Sequence, residues 1–257
     1  MVAPNYPGLG VPGQHPYLVG TLTGRSMIDA VRAARAIPGA AAGSDYAVWG
    51  ESQGGHAALW TGQMQRADGA GLRLVGVAAG APPTDLAANL RQSSNATYRA
   101  FLTAMAVDSW SQYYGVPLKI GRTRTPGIIQ RLARRCISVD SGPNLGAMLG
   151  ILALRQDLSK VDLGRTPPWS SYAAANSTSP VSQVPVLFAQ TVQNPLVAPA
   201  VTRAFARGMC ANRVRVKWID LPGKDHATTA KQSAAATIAW IGERFAGTAA
   251  PNDCGRF

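Results

Sequence analysis

Residues 50–54 read Gly50-Glu51-Ser52-Gln53-Gly54, and the residues on either side give this G-x-S-x-G pattern its force. Ahead of it, Tyr46-Ala47-Val48-Trp49 reads as a short buried strand. Behind it, residues 53–66 (QGGHAALWTGQMQR) read as a helix with small residues in its first turn. A serine on so sharp a strand-to-helix turn needs glycines on either side, because a side chain there would collide with the neighbouring backbone. The turn lifts the hydroxyl clear of the sheet and sets the next backbone N–H near any oxyanion formed by attack. The corner is therefore expected to hold a nucleophilic serine, Ser52.

The rest of the chain supplies the frame such a corner needs. Residues 22–37 carry apolar residues at helical spacing and stop at Pro38-Gly39. A second strand is expected at 72–79, closed by Gly80-Ala81-Pro82-Pro83, and strand texture returns at 184–189 and 214–219. Helices are expected at 199–210 and 229–245. Strands alternating with helices predict an α/β fold: a mostly parallel sheet with helices on both faces. Between 84 and 180 the texture changes to polar turns and helical stretches such as 98–107 and 145–154. The expected division is a core of residues 1–83 and 181–257 with a helical cap inserted at 84–180.

The chain has 257 residues, 46% of them hydrophobic, enough for a large buried core. Its net charge of +12, from 25 Lys and Arg against 13 Asp and Glu, would attract anionic lipid, nucleic acid or acidic ligands. The basic residues are scattered among Ala and Gly, however, with no zinc-finger spacing and no aromatic RNA-binding pattern, so no nucleic-acid partner is expected. The densest group, Arg122, Arg124, Arg131, Arg134 and Arg135, reads as a solvated helix face. No apolar run is long enough to cross a bilayer, and Met1-Val2-Ala3-Pro4 lacks the features of a signal peptide. Three cysteines fit no metal motif, and no metal or organic cofactor is expected. A bridge between Cys210 and Cys254 would pin the tail and point to an oxidising compartment, leaving Cys136 over.

A serine nucleophile needs a base, and there are three histidines. His226 follows the last predicted strand, where the loops of an open α/β sheet gather around a site. It also follows Ser52 in the chain, as the Ser…acid…His order of α/β-hydrolases requires. His56, one turn beyond Ser52, reads as a packing residue, and His15, beside Gly13 and Pro16, as a loop residue near the mouth.

Several segments, in order, resemble the secretory lipase family, the fungal lipase A type and its actinobacterial relatives. They are Ala3-Pro4-Asn5-Tyr6-Pro7-Gly8-Leu9-Gly10, His15-Pro16-Tyr17-Leu18, Asp29-Ala30-Val31-Arg32-Ala33-Ala34-Arg35, Trp49-Gly50-Glu51-Ser52-Gln53-Gly54-Gly55-His56-Ala57-Ala58, Ala79-Gly80-Ala81-Pro82-Pro83, residues 184–210 and His226-Ala227. The resemblance implies an α/β-hydrolase fold with a helical cap over an acyl pocket. It implies hydrolysis of carboxylic esters, typically triacylglycerols, outside the cell, with an ester or lipid substrate and a lipid interface as partner. It further implies an oxyanion hole formed by Asn5 and the backbone N–H of Gln53.

Three departures from the family pattern shape the expectations. In the turn after 184–189, Asn194 stands where relatives have an aspartate; an amide can orient an imidazole but cannot stabilise imidazolium by charge, and can select the wrong tautomer. Asp85, at the end of the strand after the nucleophile strand, is a candidate substitute acid, ahead of Asp220 and Asp225. Asn5 stands where relatives commonly have aspartate, and its amide N–H can serve an oxyanion without needing protonation. Finally, relatives carry strands ahead of the first matching segment; without them the sheet is expected to present an open edge and to self-associate.

The leading reading is a serine ester hydrolase of lipase or carboxylesterase type, with Trp110, Tyr113, Tyr114 and residues 149–154 as candidates for the acyl pocket. The alternatives are a catalytically impaired hydrolase-fold protein with a binding or structural role, and an acyltransferase using the same nucleophile.

Overall fold

The computed structural model describes residues 1–133 and 145–257, so Arg134, Arg135 and Cys136 lie outside the described residues. Four strands, β1 (Asp45–Glu51), β2 (Arg73–Gly80), β3 (Val186–Thr191) and β4 (Val216–Leu221), form one parallel sheet in the order β1-β2-β3-β4. Helices α1 (Gly20–Ala36), α2 (Gln53–Asp68) and α8 (Pro199–Ala211) cover one face, and α9 (Thr229–Phe245) covers the other. The strand sequences explain this two-sided cover. Val186 and Phe188 of β3 pack with Ile28, Leu59 and Phe205 on the first face, while Leu187 and Ala189 pack with Trp240 on the second. All six residues of β3 are buried. The parallel sheet with two helical layers expected from the alternation is what forms.

Between β2 and β3 the described residues contain helices and no strand: α3 (Leu86–Gln92), α4 (Ala96–Tyr113), α5 (Thr125–Ala133), α6 (Leu145–Asp157) and α7 (Trp169–Asn176). These helices share a hydrophobic cluster of their own, built on Trp110, Ile129, Leu154 and Trp169, which also takes in Leu18 and Val19 ahead of α1. Asn176 joins the cluster to the sheet layers. Its Oδ1 accepts from Gly20 N–H at 3.1 Å, its amide donates to the Tyr114 hydroxyl at 2.9 Å, and its carbonyl accepts from His56 Nε2 at 2.7 Å. His56 is fully buried, and burial pushes its pKa down to about 4. It is the packing residue that its position suggested.

Two of the clustered arginines are paired rather than merely solvated. Arg122 and Arg124 each approach the buried carboxylate of Asp157 at 3.4 Å.

The two rims of the sheet are finished differently. Beyond β4 runs the C-terminal tail, where Asp253 N–H donates to Val216 carbonyl at 2.7 Å and Asp253 Oδ2 accepts from Trp218 N–H at 2.9 Å. A disulfide between Cys210 on α8 and Cys254 fastens this tail. Beyond β1 no strand pairs among the described residues.

Candidate active site

Ser52 caps α2 with φ 53° and ψ −117°, a backbone conformation that costs an ordinary side chain about 1–3 kcal/mol. Its N–H donates to Gly80 carbonyl at 2.7 Å, and its own carbonyl accepts from His56 N–H at 2.9 Å, so the corner is held from β2 and from α2. A Cβ added at Gly50 would sit 2.1 Å from the Gly54 carbonyl oxygen, which excludes any other residue there. One added at Gly54 would meet nothing within 4 Å. The steric demand thus falls on Gly50 rather than equally on both glycines, and Gly54 contributes the backbone that fills the space Gly50 leaves. The N–H of Gln53 opens α2 and belongs to the donors that a helix N-terminus leaves unpaired.

His226 lies in the loop between β4 and α9, and two threonines fix that loop to the end of β3. Thr229 Oγ1 donates to His226 carbonyl at 2.9 Å and accepts from Thr191 Oγ1 at 2.9 Å, and Thr191 Oγ1 lies 3.2 Å from the Asp225 carbonyl oxygen. Neither threonine stood out in the sequence, since nothing in a hydroxyl at a strand end signals its partner 38 positions away. Burial pushes the His226 pKa down to about 4, partly opposed by the charge of Asp225, so the ring is neutral at pH 7.

The loop after β3 brings Asn194 to this ring. Asn194 Oδ1 accepts from the N–H groups of Leu196 at 3.0 Å and Val197 at 2.9 Å, which fixes which end of the amide is which. Its Nδ2 therefore faces His226 Nδ1, at 3.0 Å. An amide nitrogen has hydrogens and no free lone pair to offer, so the ring nitrogen must accept, and the neutral ring carries its proton on Nε2. The loop itself is held from α3 and the turn beyond it: Asn89 Oδ1 accepts from Ala198 N–H at 2.8 Å, and Ser93 donates to Pro195 carbonyl at 2.9 Å.

The carboxylates considered as substitutes are engaged elsewhere. Asp85 is the N-cap of α3, accepting from Ala88 N–H at 2.9 Å. Asp220 pairs with Arg203 at 2.8 Å, and Asp225 accepts from Ala227 N–H at 3.0 Å. Among the described residues, Asn194 is the side chain hydrogen-bonded to the His226 ring.

Ser52 and His226 come to the same end of the sheet. They follow β1 and β4 of a parallel sheet, and Glu51, immediately before the serine, sets its carboxylate against the first turn of α9. Burial raises that carboxyl group's pKa, with the backbone N–H groups of Ala230 and Thr229 opposing the shift. No hydrogen bond joins the Ser52 hydroxyl to the His226 ring among the described residues.

The loop carrying Asn5 is tied to the corner through His15. Nδ1 of His15 donates to Pro7 carbonyl at 3.2 Å, leaving Nε2 to accept from the Gln53 side-chain amide at 2.8 Å. Gly8 closes the loop so tightly that an added Cβ would lie 2.4 Å from His15 N. Asn5 itself is exposed, with its amide nitrogen beside Gly10. His15, read from sequence only as a residue near the mouth, is the link between this loop and the residue after the serine.

Beside Ser52 lies a small, mostly apolar cavity of about 30 Å³, walled by Tyr17, Leu86, Leu90, Leu102, Trp110 and Val197 among others. Trp110 is the one acyl-pocket candidate from the sequence that reaches it. Tyr114 instead stacks on Tyr172 at 4.0 Å, Tyr113 and Leu149 are exposed, and Leu154 is core.

Comparisons with known proteins agree with this architecture. A family model described as secretory lipase matches residues 1–125 and 162–253, more than half of the chain. Among solved structures, lipase A of Candida antarctica superposes with a TM-score of 0.70 at 16% identity, over 93% of this chain and 57% of its own. The rice cell wall degrading esterase LipA from Xanthomonas oryzae gives 0.69 at 18% identity, over 91% and 69%. A putative hydrolase from Legionella pneumophila gives 0.72 at 15% identity, over 95% and 69%. The chain thus spans less than two thirds of the Candida lipase. No curated protein sequence matches it. The structural likenesses, all under 20% identity, speak to the fold; with the family match they establish that the chain belongs to the secretory lipase family and has the α/β-hydrolase fold.

Proposed function

We propose that the chain is a serine ester hydrolase of lipase or carboxylesterase type. Ser52 attacks the ester carbonyl to form an acyl-enzyme, and His226 takes its proton and passes it to the leaving alcohol. Gln53 N–H and Asn5 stabilise the oxyanion, and Asn194 occupies the acid's place. Residues 84–180 serve as the cap over a core of residues 1–83 and 181–257. The family and the Cys210–Cys254 bridge together support an extracellular setting.

The observation that carries this reading is the Asn194–His226 contact at the ends of β3 and β4, on the edge where the strained corner presents Ser52. A loop with only a structural task has no need of a half-buried imidazole held by an amide that two backbone N–H groups hold in turn. The cavity beside Ser52 is small and mostly apolar, which suits a short acyl group.

The same contact favours a slow enzyme. With its proton on Nε2, His226 has no lone pair to turn toward the serine hydroxyl until the tautomer changes. In a trypsin-type triad the equivalent Asp→Asn change lowers kcat about 10⁴-fold. Labelling by a fluorophosphonate probe tests the proposal: the chain should be labelled slowly and the Ser52→Ala variant not at all. Absence of labelling after prolonged exposure, or labelling that survives Ser52→Ala, would overturn it.

A further inference from the structure

We infer that the helical segment carries a second site, a cationic cleft that takes the phosphate of an anionic lipid headgroup and seats the protein on an anionic lipid surface. The inference concerns binding and stands apart from catalysis by Ser52.

The cleft, of about 230 Å³, lies between α3, α4 and the chain following α6. Arg91, Arg99, Arg155 and Lys160 stand around it with one carboxylate, Asp162. That carboxylate is already shared, approached by Arg91 at 3.5 Å and Arg165 at 3.8 Å, and accepting from Gly164 N–H at 2.8 Å. Arg99, Arg155 and Lys160 have no carboxylate partner among the described residues. The floor is apolar, with Ala100, Leu158 and Leu163 buried beneath it. Several cations facing one concavity over a low-dielectric floor focus a positive potential into it. Of the three without a carboxylate partner, Arg99 and Arg155 carry guanidinium groups, whose planar forks match phosphate oxygens.

What selects a lipid surface over a free anion is the hydrocarbon beside the cleft. On α6, Met148 and Leu152 lie four residues apart and Arg155 three further on, so the three share one helical face. Met148, Leu149 and Leu152 are each about half exposed. On α4, exposed Tyr98 immediately precedes Arg99. Apolar side chains in line with cations on the same two helices suit the boundary between headgroups and acyl chains, where both kinds of group find partners. Leu90 lines both this cleft and the apolar cavity beside Ser52, so a docked headgroup would lie one side chain from that cavity.

The test uses the full chain carrying Ser52→Ala, so that vesicles are not degraded, in co-sedimentation at physiological salt. Vesicles of phosphatidylcholine with phosphatidylglycerol should bind it, and vesicles of phosphatidylcholine alone should not. Arg155→Glu with Lys160→Glu should lower that binding at least about tenfold, and Leu149→Asp with Leu152→Asp should also lower it, with thermal melting checking that each variant folds. Arg35→Glu with Arg66→Glu makes the same change in net charge on α1 and α2 and should leave binding within about twofold. Equal binding to both kinds of vesicle, an equal loss in the α1 and α2 pair, or retention on inorganic phosphate or duplex DNA but not on vesicles would each overturn the inference.

Discussion

Asn194 and His226 meet through a single donated proton, from amide Nδ2 to imidazole Nδ1 across 3.0 Å, and the direction of that donation settles where the imidazole keeps its own. Replacing the amide by a carboxylate reverses the direction. In Asn194→Asp, one oxygen still accepts from Leu196 and Val197, and the other accepts from His226 Nδ1–H, freeing Nε2 to act as base. The charge also stabilises the imidazolium formed in the reaction. We predict that kcat/KM on a short p-nitrophenyl ester at pH 8 rises by at least about 10²-fold, the scale on which this change acts elsewhere being about 10⁴. An unchanged or lower rate in a folded variant would remove the tautomer from the account.

The small cavity beside Ser52 sets a second expectation. Acetate and propionate esters should be cleaved faster than octanoate, because longer chains must displace packed side chains. Leu102→Ala, which removes part of a half-buried wall, should move the optimum by two or more carbons toward longer acyl chains. A p-nitrophenyl ester series run on both proteins measures this.

Asp85 is a capping residue, and its loss should show in stability rather than rate. Asp85→Ala removes the acceptor for Ala88 N–H and should lower unfolding free energy by about 1 kcal/mol. Its kcat/KM should stay within about twofold of the parent. Denaturant melts paired with kinetics separate the two effects.

Stability should fall with acid for a reason that lies in the interior. His56 is buried neutral with its pKa pushed to about 4, against about 6.5 for an exposed histidine. Between those values the unfolded chain binds more protons, so the contribution is complete above pH 6.5 and lost as pH falls toward 4. The full loss from this group is roughly 3 kcal/mol. Unfolding free energies measured at pH 7.5, 6, 5 and 4 should trace it, and His56→Gln should flatten the curve, leaving the share of His226, which is shifted the same way.

Much of this was written locally in the chain. The corner at Ser52, the alternation that builds a parallel sheet and the helices at 53–68 and 229–245 follow from residues a few positions apart. The short helices α3, α5 and α7 did not, because seven to nine residues hold too few turns for a period to show. The site divides in the same way. Ser52 and His226 are proposed as nucleophile and base from turn and order alone, whereas the ties that position His226, through Thr191, Thr229 and the turn held by Asn89, join residues dozens of positions apart. Asp85 was read as a spare acid because its carboxylate was visible and its task as a cap was not. His15 looked incidental for the same reason: its partner Gln53 lies 38 positions on.

The C-terminal tail does for β4 what a further strand would do, with oxygens of Asn252 and Asp253 standing in for a ladder. Only the sulfur–sulfur bond between Cys210 and Cys254 ties it there covalently. Whether this edge of the sheet stays covered therefore depends on a redox couple. Where thiols are kept reduced, the tail is free to peel away and leave a bare row of amides on which a neighbouring molecule can lay its own backbone.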